Sequence, residues 1–277
     1  MSRELKLRIG SALVLAAIIL TATWYGGMIF RCVAGVLALL IYYEWSTITR
    51  LPETNGTGNA WGWFSLSVIA GNTIFGETSL DVPLLCGFGL TAAIFPVLRG
   101  KNWWLVGGII YAGLSGISLA AIRGDDLSGL ISMLFVFAVV WGTDILAYFV
   151  GRAIGGPKLA PSISPGKTWS GAIGGTIAGV TAGALVSYFY HGHVTVIIML
   201  LGLVLSIFSQ IGDLFESFIK RRFKVKDSSH LIPGHGGVLD RVDGLAFACF
   251  TVFLIAVVHA AWTGDVPGSG GGLLPGF

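Results

Sequence analysis

Residues 194–262 read VTVIIMLLGLVLSIFSQIGDLFESFIKRRFKVKDSSHLIPGHGGVLDRVDGLAFACFTVFLIAVVHAAW. Two apolar runs, 194–215 and 244–262, enclose a polar loop at 216–243. Between Gln210 and Gly244 lie six of the 17 Lys and Arg, five of the 14 Asp and Glu, and two of the five His. Each apolar run is close to the roughly 20 residues that cross a hydrocarbon core as a helix. A chain that alternates such runs with one charged loop is a membrane protein with its chemistry gathered at one side.

The composition agrees. Hydrophobic residues make up 54% of the chain and charged residues only 11%, against about 25% in soluble domains. An all-α, polytopic membrane fold is expected. Apolar windows predict about nine spanning helices, near 9–23, 27–47, 61–75, 83–98, 103–121, 129–150, 171–190, 194–215 and 244–262. The basic start and apolar middle of MSRELKLRIGSALVLAAIIL resemble a signal peptide, but no small-x-small cleavage site precedes the next run. It reads as a retained first helix.

With nine spans and a cytoplasmic N-terminus, 15 of the 17 basic residues fall on the inner side, leaving Arg31 and Arg123. That asymmetry is the positive-inside pattern. The expected organisation is an N-terminal set of helices over 1–128 and a C-terminal catalytic region over 129–262. The latter carries cytoplasmic loops at 151–170 and 216–243, and a Gly- and Pro-rich tail follows at 263–277. Cys32, Cys86 and Cys249 sit in apolar segments without metal-ligand spacing and read as packing residues. Gly171, Gly175, Gly179 and Gly183 recur every four residues, a stripe that suits either helix packing within the chain or a subunit interface.

Asp213 and Glu216, three apart, fall on one helical face at the inner end of the eighth span. Acids at that depth face a wet cavity or a cation. Asp240, Arg241 and Asp243 open the ninth span, and a loop that folds back brings Asp213 and Asp240 to one depth. Two such carboxylates suit Mg²⁺, which takes oxygen ligands and keeps positions for water and substrate phosphates. Between them, the basic run KRRFKVKD alone would be a membrane anchor. The following Pro233-Gly234-His235-Gly236-Gly237 permits close backbone approach, so that amides can cradle phosphate oxygens. No Walker pattern is present. Ser162, Ser164, Lys167 and Thr168 form a second polar cluster, stiffened by Pro161 and Pro165. Asp144 reads as a partner for a nearby cation or a cavity-shaping group rather than a metal ligand. Glu44, among Tyr42, Tyr43 and Trp45, reads as interfacial.

The run Ser217-Phe218-Ile219-Lys220-Arg221, then Lys226-Asp227, then Pro233-x-His235-Gly236-Gly237-x-x-Asp240-Arg241-x-Asp243 resembles, across its 27 positions, the signature of the phosphatidate cytidylyltransferases. DILAYFVGR (144–152) and SPGKTWSGAIGG (164–175) resemble two further blocks of that family, although Gly166 and Ser170 stand where it usually has Lys and Glu. The resemblance implies cytidylyl transfer from CTP to phosphatidic acid at a bacterial inner membrane, by a homodimer. It implies Mg²⁺, alone or in a two-cation site, on Asp213 and Asp240, with Lys220, Arg221, Lys226 and Arg241 as catalytic cations. Ser164, Lys167, Thr168, Ser217, Asp227, His235, Gly236, Gly237 and Asp243 would bind substrate. No nucleic-acid partner is expected.

Three rivals are weaker. Asp240-x-x-Asp243-Gly244 opens a CDP-alcohol phosphotransferase motif, but Leu245-Ala246-Phe247-Ala248 does not continue it. A CTP-dependent polyprenol kinase would share the nucleotide chemistry and use an alcohol acceptor. A transporter of phosphorylated solutes would need charge on both sides, and the outer side is nearly bare.

Overall fold

The computed structural model describes residues 3–99, 103–232, 234 and 236–263. Ten helices appear in order: α1 (Arg3–Tyr25), α2 (Gly27–Ile48), α3 (Leu51–Thr54), α4 (Gly56–Phe75), α5 (Asp81–Arg99), α6 (Trp104–Arg123), α7 (Leu127–Ile154), α8 (Trp169–His191), α9 (Val196–Arg222) and α10 (Leu239–Thr263). A single 3₁₀ turn, Thr78–Leu80, precedes α5, and two short strands, β1 (Lys158–Ala160) and β2 (Ser164–Thr168), lie between α7 and α8. Every predicted span coincides with a helix. The fold is an all-α polytopic membrane fold with one small hairpin.

Among the described residues, seven helices are long and apolar enough to cross a membrane, and the apolar part of α1, Gly10–Tyr25, is shorter. The count of nine is not reached. The 20-residue α4 is outside the seven because Gly56, Thr57, Gly58, Asn59, Ser65, Ser67 and Asn72 dilute its apolar character. Local sequence sets the helix boundaries. The side chains of Asn55, Asp126 and Thr168 accept hydrogen bonds from the backbone N–H three residues on, capping α4, α7 and α8. Gly192 ends α8 with φ +74°, the left-handed conformation that glycine adopts without a Cβ penalty.

The chain divides into two compact units. The first comprises 1–121 together with Phe223–Arg241; the second comprises 122–222 and the chain from Val242. This differs from a plain division near residue 128, because the loop after α9 belongs with the N-terminal helices. In the first unit α2 is embedded: Ile41 and Tyr42 are fully buried, and Trp45 donates from Nε1 to Trp104 O at 2.8 Å and stacks on Tyr111.

In the second unit α7 and α8 pack closely along the glycine stripe. A Cβ on Gly175 would lie 2.6 Å from Thr143 O, one on Gly179 2.8 Å from Val139 O, and one on Gly183 2.7 Å from Phe135. The stripe is therefore spent on contact within the chain. Polar side chains tie α9 to the same pair: Thr143 Oγ1 and Ser206 Oγ are 2.8 Å apart, and Gln210 donates to Thr176 Oγ1 at 2.9 Å.

Candidate active site

Within the loop expected at 151–170, residues 158–168 form a hairpin. β1 and β2 run antiparallel, pairing Lys158 with Thr168 and Ala160 with Ser164. Pro161, Ser162 and Ile163 turn the chain, and Ile163 N donates to Ala160 O at 3.1 Å. Ser164 and Lys167 are half-buried and Thr168 is buried. Thr168 Oγ1 accepts from Gly171 N at 3.1 Å and lies 3.0 Å from Ser170 Oγ, which donates to Gly155 O at 2.5 Å. The Thr168 hydroxyl is thus committed to capping α8. Ser170 locks the hairpin to the end of α7.

Lys167, one residue earlier on β2, forms an ion pair with Asp213 of α9. Asp144 of α7 and Asp243 of α10 are both near enough to Asp213 to feel its charge, and both also feel Lys167. Asp213 thus pairs with Lys167, and Asp144 and Asp243 lie within electrostatic range of both. Gly212 permits this crowding, since a Cβ there would lie 2.5 Å from Asp243 O and 2.8 Å from Phe247. Asp144 was expected to stand apart from any metal role, yet it feels the charge of Asp213, one of the two acids named for one.

One turn along α9, Glu216 is 2% exposed and bonds Lys220 Nζ at 2.5 Å. Arg221 Nε donates to Ile163 O at 3.4 Å, reaching the hairpin turn. Ser217 is half-buried on the same helix. The second unit thus gathers Asp213, Asp243, Lys167, Lys220 and Arg221 from the expected residues, and adds Asp144.

The first unit holds the rest of the signature. Lys226, Asp227 and Arg241 are exposed. Gly236 has φ +81° and forms an isolated antiparallel bridge with Ile232, a turn that favours glycine. Pro233 and His235 lie outside the described residues. Asp240, expected as the second metal ligand, has a different set of neighbours: its Oδ2 accepts from Ser228 N at 2.9 Å, Ser228 Oγ at 2.9 Å and Gly237 N at 2.8 Å. Those donors close the loop on itself.

Glu44 also corrects an expectation. It is fully buried rather than interfacial. It accepts from Ser228 Oγ at 3.0 Å, Ser229 Oγ at 2.5 Å, Val238 N at 2.8 Å and Leu239 N at 2.6 Å. Its aromatic neighbours suggested a membrane interface; Tyr42 and Trp45 pack inside the unit instead, and Tyr43 alone of the three is exposed. Nothing in the local sequence pointed to partners 184 to 195 residues away. The one available signal was the cost of a carboxylate in an apolar helix, which demands donors from somewhere.

Comparison with known proteins now adds to the geometry. Residues 6–259 match the model of the Cytidylyltransferase family. The chain belongs to that family. It is 44% identical over 269 residues to the phosphatidate cytidylyltransferase of Brucella melitensis, covering 95% of this chain and 97% of the relative. The phosphatidate cytidylyltransferase of Haemophilus influenzae is 34% identical over 279 residues, covering 88% and 96%. That of Staphylococcus haemolyticus is 44% identical over 140 residues, about half of each chain.

Mg²⁺ can be tested against this family member's residues. Among the described residues no group of three or more His, Cys, Asp or Glu is placed to hold a metal by itself, so a closed protein cage is absent there. Asp144, Asp213 and Asp243 nonetheless offer only hard oxygen donors, with Lys167 as a counter-charge. An open carboxylate set completed by water and phosphate oxygens is the arrangement Mg²⁺ favours. The residues fit the ion.

Proposed function

We propose that this cytidylyltransferase-family chain transfers the cytidylyl group of CTP to phosphatidate. A phosphate oxygen of phosphatidate attacks the α-phosphorus of CTP, the bond from that phosphorus to the bridging oxygen breaks, and pyrophosphate leaves. The product is CDP-diacylglycerol. The attacking oxygen is already ionised near neutral pH, so no protein nucleophile or strong base is required. The barrier is the meeting of two anions while a third departs, and positioning with charge neutralisation lowers it.

The observation carrying this reading is the Lys167–Asp213 ion pair, with Asp144 and Asp243 within electrostatic range of both groups. Asp213 and Asp243, with Asp144 beside them, would hold Mg²⁺. When bound, the ion supplies charge stabilisation to the phosphates. Lys167 serves as its stand-in and turns to phosphate oxygens. Lys220, held by Glu216, and Arg221, held against the hairpin turn, present positive charge from the second unit. Lys226 and Arg241, in the first unit, keep the cationic role expected of them, and Gly236 and Gly237 keep the expected substrate-binding role. Ser164, Ser217 and Asp227 keep the substrate-binding role expected of them. Asp240, with three donors on Oδ2, is assigned to shaping the loop rather than to the metal.

Placement in a bacterial inner membrane is supported by the bacterial relatives, and a cytoplasmic N-terminus with cytoplasmic polar loops is the orientation that sorts the basic residues inward if nine segments span. A homodimer rests on family resemblance alone, since the glycine stripe is used within the chain. The deciding assay takes protein purified in detergent with phosphatidic acid, labelled CTP and Mg²⁺, and scores labelled CDP-lipid and pyrophosphate. Labelled CTP that yields CDP and a phosphorylated long-chain alcohol instead would replace this reading with a lipid kinase.

A further inference from the structure

Glu44 has no task in the reaction as set out above, yet its surroundings are built with care. Its donors bracket one loop: Ser228 and Ser229 at the near end, Val238 and Leu239 at the far end. One carboxylate therefore fastens both ends of the 228–239 segment. The two backbone donors lie at the start of α10, where N–H groups lack intrahelical partners and negative charge is favoured. Space is equally restrictive. A Cβ on Gly237 would overlap Ser228 Oγ and lie 2.5 and 2.7 Å from the two Glu44 oxygens.

The helix that carries Glu44 is itself anchored. Trp45, next in sequence, is bonded to Trp104 O, and Trp104 packs edge-on against Phe223 at 5.0 Å, the residue with which the loop enters this unit. The carboxylate thus sits at a fixed point from which the loop is hung. All four partners of Glu44 donate. A glutamine could accept only through its single oxygen, and its amide nitrogen would face N–H and O–H groups. An aspartate would keep the charge but fall a methylene short.

We infer that Glu44 is a positioning residue for cytidylyl transfer: it holds 228–239 in the conformation that presents Gly236, Gly237 and Arg241 to the phosphates of CTP. This rests on the proposed role of that loop. The test uses the full chain in detergent, with initial rates against CTP and amide hydrogen exchange read by peptide. Glu44→Gln is expected to speed exchange in peptides covering 228–239 and leave the spanning helices unchanged. It should lower kcat/KM for CTP about 100-fold, the loss expected from roughly an ångström of misplacement. Most of that loss should appear as a higher KM. Glu44→Asp should fall between. Ser229→Ala, removing one half-buried donor, should cost about tenfold.

Unchanged exchange in 228–239 for Glu44→Gln overturns the assignment, as does faster exchange spread evenly over all helices. A loosened loop with kcat/KM within threefold of wild type removes the loop from the phosphate site, while the acid cluster stands or falls separately with Asp213→Asn. If Glu44→Gln does not accumulate folded, Ser229→Ala decides, and wild-type exchange and rates there overturn the proposal.

Discussion

Two groups of membrane-embedded acids in this chain are supported in opposite ways. Glu44 and Asp240, in the first unit, are supplied with donors by the protein: two hydroxyls and four backbone amides from one loop. Asp213, in the second unit, is paired with Lys167, and Asp144 and Asp243 lie within electrostatic range of that pair. The first arrangement neutralises charge with fixed dipoles and so fixes backbone shape. The second leaves negative charge in excess of its counter-charge, a state that calls for an external cation. We read the first kind as carboxylates that hold the fold and propose the second as carboxylates that hold a ligand.

The sharpest way to break that distinction is to neutralise the crowded acids. Asp213→Asn and Asp243→Asn should each lower turnover on the order of 10³-fold, as loss of a preorganised charge does. Neither should lower the unfolding temperature in detergent, because removing mutual repulsion costs the fold nothing. Rates within tenfold of wild type in either variant would take that acid out of the metal site.

Asp240→Asn should behave differently. It turns an acceptor of three donors into a group that can also donate, at a cost of about 1–3 kcal/mol for the mismatched buried groups. We expect turnover to fall between tenfold and 100-fold with reduced thermal stability, and half-saturating Mg²⁺ to stay at the wild-type value. A shift in the Mg²⁺ requirement with stability intact would pair Asp240 with Asp213 again, as the spacing of the signature first suggests. Lys167→Met should move metal binding in the other direction. A unit charge about 4 Å away is worth about 1 kcal/mol even in high dielectric, so half-saturating Mg²⁺ should fall about fivefold while kcat drops. A raised Mg²⁺ requirement would mean that Lys167 assists the ion rather than standing in for it.

The contrast also explains what was legible in the sequence. Helix positions were legible throughout, because apolar run length is a local property. That Asp213, Lys220 and Arg221 share one helix was legible, because they stand within one segment. The status of α4 was blurred by its Gly, Ser and Asn content. The hairpin at 158–168 was hidden because its strands are only three and five residues long. Glu44 was misplaced for a different reason: its meaning lies in donors from the far end of the chain, and aromatic neighbours say interface as readily as core. Asp144 had the same difficulty, since its nearness to the charges of Asp213 and Lys167 is a tertiary fact.

Thr168 supplies the finest test. The motif around it suggested a substrate-binding hydroxyl, next to a lysine that does belong with the acids. In the fold its Oγ1 is occupied by Gly171 N and Ser170 Oγ, and the residue is 5% exposed. By the rule drawn from the two acid groups, a polar atom filled by the protein's own partners serves the structure. Thr168→Ala should therefore cost about 1 kcal/mol of stability, the worth of a helix N-cap, read as a lower unfolding temperature in detergent. It should change kcat/KM for CTP less than threefold. A tenfold or greater loss at unchanged stability would return Thr168 to the substrate. It would also show that donor saturation does not distinguish structural from functional groups in this chain.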